Sequence, residues 1–344
     1  MDKMKMFKSD NASGIHPKIL QAIIDANQGH EHPYGNDRIT KRAKEEMSKL
    51  FGKDVDTYFV TTGTAANVIG LASLLRPYEA IVCTDTAHIN TDEGGAFELF
   101  SGSKILYTAN KNGKIDINDI KKHFVSIGDE HRSQPRIISI SQTTETGSLY
   151  TVEEIKRLAD LAHQNNMLLH VDGARIANAC VALNVSIKEM ITDTGVDLLS
   201  FGGTKNGMMV GEAIVSFNKD LSKNLKFYRK QGMQLLSKMR FISAQFLAYL
   251  EDGLWLENAE NANKMGQYLK NELSKLPGIK VKDDMKTNII FAHVGKYIID
   301  ELQDKFGFYL FDQETNLIRL VTSFDTKKED VDSLLEAIKK LEER

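Results

Sequence analysis

The chain has 344 residues, 42% hydrophobic and 26% charged, the balance of a folded globular protein rather than a disordered one. Its 44 Lys and Arg against 47 Asp and Glu leave a net charge of −3, which argues against a binder of phosphate backbones and so against a nucleic-acid partner. The two cysteines, Cys83 and Cys180, cannot build a disulfide framework, no apolar run approaches the ~20 residues that cross a bilayer, and the opening residues lack the apolar segment of a signal peptide. A cytoplasmic, globular enzyme with no membrane contact is expected.

In chain order, an amphipathic helix comes first. Ile39, Ala43, Met47 and Leu50 share one face, and Gly52 is placed to end it. Short apolar runs then alternate with helical patterns. Residues 57–60 read as a strand, 64–75 as a helix, and 80–84 and 104–108 as strands. Strands at 136–141 and 167–171 flank a helix at 151–165, and strands at 197–201 and 212–217 close the series. Strands spaced by helices predict an α/β protein with a mainly parallel sheet and helices on both faces. Beyond residue 220 the pattern turns to long helices, 237–250 the clearest. Strands near 289–293 and 317–322 and a helix from Lys328 then predict a smaller α+β unit. The expected division is a large domain over 16–250 and a small one over 251–344, with 1–15 lying against the small domain.

Parallel sheets bind ligands past the carboxyl ends of their strands. Four segments lie there. Thr61-Thr62-Gly63-Thr64-Ala65-Ala66-Asn67 opens a helix whose free N–H groups suit an anion, though it also reads as an ordinary capped helix. Thr84-Asp85-Thr86-Ala87-His88 offers a histidine that stacks on a ring, shuttles protons or is simply solvated. Asp172, ending an apolar strand, needs a partner: Arg175 in an ion pair, or a protonated ring nitrogen. Lys205, in Gly202-Gly203-Thr204-Lys205-Asn206-Gly207, fails the P-loop pattern and suits a desolvated Schiff-base lysine. Together Gly63, Thr64, His88, Asp172 and Lys205 fit pyridoxal phosphate, which needs a phosphate site, a flat partner, a carboxylate for its pyridine nitrogen and a lysine for its aldehyde.

The ordered motifs SDNAS (9–13), YGND (34–37), TTGTAAN (61–67), TAHIN…EGGA (86–96), HVDGARIANA (170–179), SFGGTKNG (200–207) and IRLVTSF (318–324) resemble the low-specificity L-threonine aldolases. These belong to the threonine aldolase and aromatic β-eliminating lyase group. The resemblance implies the aspartate-aminotransferase type of pyridoxal-phosphate fold (type I). It implies retro-aldol cleavage of L-threonine, L-allo-threonine or a related L-3-hydroxy-α-amino acid to glycine and an aldehyde. It makes Lys205 the Schiff-base residue and Asp172 the partner of the pyridine nitrogen. Gly63 and Thr64 take the phosphate, His88 stacks on the ring, and Gln142 and Thr204 join the cofactor contacts. Arg175 and Arg319 meet the cofactor oxygen and the substrate carboxylate, with Ser9 assisting, and Glu93 lies near the reacting group. The resemblance also implies a dimer of dimers or a dimer, with Tyr34, Arg229, Lys238 and Arg240 reaching a neighbouring site.

The chain departs from that family at Gln142-Thr143-Thr144-Glu145-Thr146, where many threonine aldolases carry Glu-Asn-Thr-His-Asn. Thr144 is read as the replacement of that His, which leaves His88, Glu93 or a water as base. The competing readings are β-elimination or transamination on the same cofactor, and a non-catalytic cofactor carrier. A metal site on His30-Glu31-His32 lacks further ligands, so no metal is expected.

Overall fold

The apolar runs form seven strands of one sheet in the computed structural model, which describes residues 5–342. They are β1 (Asp56–Val60), β2 (Glu79–Thr84) and β3 (Lys104–Thr108), then, beyond the two-residue ribbon β4 (Asn110–Lys111) and β5 (Lys114–Ile115), β6 (Gln134–Ser141), β7 (Leu168–Gly173), β8 (Leu198–Gly202) and β9 (Glu212–Ser216). Their order is β1-β9-β8-β7-β6-β2-β3. The neighbours β8, β7, β6, β2 and β3 run parallel, and β9 is antiparallel to both β1 and β8. Strands β8 and β9 are buried along their whole length, as an apolar run covered by helices on both faces requires.

Strand register positions the site. Val60 and Gly202 both lie opposite Glu212, while Asp172 lies between Ser141 and Ser200. The loops that follow β1, β6, β7 and β8 therefore open at one edge of the sheet.

Helix α1 (Pro17–Asp25) precedes α2 (Arg38–Phe51), which starts on an Asp37 cap and ends at Gly52 with φ +60°. The buried stripe of α2 is Thr40, Ala43, Met47 and Phe51, and Ile39 and Leu50 are only half-buried. The stripe rotates away from the expected one because the Thr40 hydroxyl bonds Asp37 and Ser243 at 2.8 Å each. Helix α3 (Gly63–Ala72) follows β1 and is buried from Ala66 onward.

A second sheet, in the order β10-β11-β13-β12, is formed by β10 (Lys280–Val281), β11 (Ile289–His293), β12 (Tyr309–Asp312) and β13 (Leu317–Val321). It has its own core, which includes Phe7. The Phe7 N–H donates to the Phe306 carbonyl and its carbonyl accepts from the Val321 N–H, both at 2.8 Å. The helix Leu254–Leu273 contributes Leu254, Trp255 and Ala259 to the larger core and Met265, Leu269 and Leu273 to the smaller one. No helix among the described residues is long and apolar enough to cross a membrane.

Candidate active site

Lys205 sits on the turn joining β8 to β9, and its neighbours are fixed. The Gly203 N–H donates to Glu212 Oε2 at 3.0 Å, and the Gly211 N–H donates to the Thr204 hydroxyl at 3.0 Å. Asn206 donates to the Tyr249 hydroxyl and the Trp255 carbonyl, both at 2.8 Å. A Cβ on Gly202 would lie 2.5 Å from the Ala174 carbonyl oxygen, so only glycine lets β8 close against the loop after β7. The lysine amine has no hydrogen-bond or ion-pair partner among the described residues. It faces a cavity of about 530 Å³ that Ser9, His88, Glu145, Arg175, Tyr309 and Arg319 also line. The Arg175 charge and burial hold its pKa below the ordinary lysine value, favouring the neutral amine that a nucleophile needs. Burial raises the pKa of Glu212, behind this turn, to about 7.

Asp172 ends β7 at the same edge. The Ala174 N–H donates to its Oδ1 at 3.0 Å and Asn67 Nδ2 donates to its Oδ2 at 2.8 Å. The same Asn67 nitrogen donates to Glu93 Oε1 at 2.9 Å, and His88 Nδ1 lies 3.0 Å from that oxygen. A chain His88–Glu93–Asn67–Asp172 thus runs behind the cavity. The Glu93 hydrogen bond raises the His88 pKa above its ordinary value. Asn67 Oδ1 and Glu93 Oε2 are buried with no partner among the described residues.

The cations of the cavity differ in their partners. Arg175 is clamped by Asp10 through two hydrogen bonds, Nε to Oδ2 at 2.7 Å and Nη2 to Oδ1 at 2.8 Å. Arg319, on β13, pairs with no carboxylate among the described residues. Its Nε is buried without a partner, and its guanidinium lies over the Tyr309 ring at 4.8 Å. Ser9 caps the turn at Asp10, its hydroxyl accepting from the Asn11 N–H at 3.2 Å.

Other expected residues lie elsewhere. Gln142 does not reach the cavity: its side-chain amide is bound at both ends to the Tyr150 backbone, at 2.9 and 3.0 Å. Thr204 spends its hydroxyl on Gly211. Thr144 is not the residue facing the site. Its hydroxyl is folded back on Ser148 at 2.9 Å inside a tight turn, and the next side chain, Glu145, enters the cavity. Glu145 also holds the fourth place in its five-residue segment, the place of the family His. Tyr34 and Lys238 are exposed, Arg229 is buried over the Tyr58 ring, and Arg240 donates to the Gly29 carbonyl; none of the four lines the cavity. In the His30–His32 stretch, the Glu31 carboxylate is taken by Arg38 at 2.6 Å. Sequence reasoning missed Asp10, Asn67, Glu145 and Glu212. The visible signals were a polar Asn in an apolar helix and a Glu opening an apolar strand.

The residues present fit pyridoxal phosphate. A half-buried amine with no partner among the described residues faces the cavity, and a carboxylate lies at the end of the strand beside it. The first turn of α3 leaves the Gly63 and Thr64 N–H groups without partners among the described residues, with open space where a Gly63 Cβ would sit. The fold and these groups define a pyridoxal-phosphate enzyme of the aspartate-aminotransferase type. The family model described as beta-eliminating lyase matches residues 7–296. The low-specificity L-threonine aldolase of a Pseudomonas species is 40% identical, over 95% of each chain. That of Pseudomonas aeruginosa is 39% identical, over 98% of each. The solved threonine aldolase of Leishmania major superposes with a TM-score of 0.93 at 30% identity, covering 98% of this chain and 99% of that one. The chain belongs to the beta-eliminating lyase family, within its threonine aldolase group.

Proposed function

We propose that the protein cleaves L-threonine, L-allo-threonine or a related L-3-hydroxy-α-amino acid between Cα and Cβ, giving glycine and an aldehyde. The observation that carries this reading is one cavity lined by an unpartnered amine, Lys205, and by a guanidinium with no carboxylate partner among the described residues, Arg319. One suits a carbonyl and the other an α-carboxylate, whose two oxygens match a planar fork.

Pyridoxal phosphate, when bound, supplies an electron sink for the pair left on Cα. Lys205 would hold the cofactor through its unpartnered amine. Asp172 keeps the ring nitrogen protonated, with Asn67 fixing the carboxylate. Arg319 and Ser9 would grip the substrate carboxylate and so orient the substrate in the cavity. His88 offers the ring a flat face from the opposite loop. Glu93 acts from behind His88 and does not line the cavity.

The reading extends to a cytoplasmic homodimer or dimer of dimers in which Tyr34, Arg229, Lys238 and Arg240 approach a neighbouring site; light scattering of the purified protein tests the assembly. The activity is tested by supplying pyridoxal phosphate and adding L-allo-threonine, L-threonine and L-phenylserine in turn. Release of aldehyde with equimolar glycine is expected. A keto acid in place of glycine would transfer the reading to β-elimination or transamination.

A further inference from the structure

The proton acceptor of the proposed cleavage is open among the residues so far placed. His88 has its Nδ1 held on Glu93 Oε1 at 3.0 Å, and Glu93 is shut behind it. Two carboxylates line the cavity itself, Asp92 and Glu145. Asp92 is exposed at the rim and carries the Thr91 hydroxyl. Glu145 lies between the loops after β2 and β6. Its Oε1 accepts from the His88 N–H at 2.9 Å and from the Ser141 hydroxyl at 2.6 Å. No cation pairs with the carboxylate among the described residues. Oε2 is left for the cavity that Lys205, Arg175 and Arg319 share.

We propose, resting on the aldolase reading above, that Glu145 takes the proton of the substrate β-hydroxyl. The O–H bond breaks toward Glu145, the oxygen pair closes the carbonyl of the departing aldehyde, and the Cα–Cβ pair stays on Cα, which takes a proton to give glycine. Glu145 returns its own proton to solvent once the aldehyde leaves, so the cycle balances with no further reactant.

The environment suits the task. Burial raises the Glu145 pKa above that of a free glutamate. Hydrogen bonds from Ser141 and two backbone N–H groups, its own and that of His88, oppose that rise, while Asp172 adds to it. The other charged or titratable groups facing it are the His88 ring, Lys205, Arg175, Arg319, Asp92 at the rim, and the Cys83 thiol beneath.

The test compares holoenzyme with Glu145→Gln and Ser141→Ala, reading cleavage against pH, the visible spectrum on glycine titration, and exchange of the glycine α-proton with deuterated solvent. Glycine carries no hydroxyl, so Glu145→Gln should keep the spectrum, glycine binding and exchange within about threefold. Its kcat for cleavage should fall by about 10²–10⁴-fold, the usual worth of a positioned base, and the acid limb of the wild-type profile should vanish. Ser141→Ala removes a bond that lowers the Glu145 pKa, so that limb should move to higher pH. Cleavage by Glu145→Gln near the wild-type rate, an acid limb unmoved by Ser141→Ala, or a parallel loss of exchange and cleavage would each overturn the proposal. A wild-type protein that exchanges glycine but releases no aldehyde would overturn the aldolase reading instead.

Discussion

Arg175 and Asp10 form a bidentate ion pair across 165 residues of sequence, with Asp10 buried and Arg175 partly exposed to the cavity beside Lys205. Arg175 therefore enters the cavity as half of a neutral unit. Arg319 is left as the cation free for an anionic ligand.

Asp10→Ala strands a buried guanidinium and should destabilise the protein by about 3–5 kcal/mol, measured by urea unfolding of the holoenzyme. The effect should depend on pH. Burial works to raise the Asp10 pKa, but Arg175 holds it below the ordinary aspartate value of 3.8. The stability it contributes is complete above that value and is lost as pH falls through the lower folded value. The gap between wild type and Asp10→Ala should hence be full at neutral pH and narrow under strong acid. A gap that widened in acid would contradict the assignment.

Asn67→Ala removes one nitrogen that serves two carboxylates. Glu93 and Asp172 would each lose a donor, at a cost of about 1–3 kcal/mol for an unsatisfied buried group. If that cost falls on the loaded state, pyridoxal phosphate binds roughly 5–150-fold more weakly. Titrating apoprotein with cofactor by absorbance reads this directly. Unchanged affinity would confine Asn67 to folding.

Arg319→Ala should leave the cofactor spectrum intact and lower kcat/KM for the amino acid. Charge-assisted hydrogen bonds are worth about 1.5–3 kcal/mol, so the loss should be roughly 10–150-fold. Steady-state kinetics separates this from a general loss of fold.

Lys205→Ala should abolish the lysine-bound cofactor band and reduce turnover to background, with the far-UV spectrum of the fold retained. A variant that kept both band and turnover would remove Lys205 from its assigned role.

The strands and Lys205 were legible because their signals are local: apolar runs of strand length, glycines around a lysine, and an Asp where a run stops. The partners of these residues were not. Asp10 meets Arg175 across 165 positions, Asn67 meets Asp172 across 105, and the His88 N–H meets Glu145 across 57. No periodicity in the chain brings such pairs together; the strand order does. Thr144 and Glu145 show the same limit at short range. Which of two adjacent polar side chains faces the cavity is settled by the turn that Thr144 closes with Ser148, not by composition. Gln142, at the end of β6, reads as a ligand-facing amide until Tyr150 is seen to occupy it.

The Phe7 bonds to Phe306 and Val321 carry a consequence for how the protein is made. A ribosome releases Phe7 well before its two partners, which lie far along the chain. The segment that brings Ser9 and Asp10 to the cavity must wait, unpaired, while most of the chain emerges. The large sheet can assemble during translation, but Arg175 meets its counter-charge on a settled segment only after β13 is out. Catalytic competence should therefore appear only once β13 is in place, and later than the burial of the larger core.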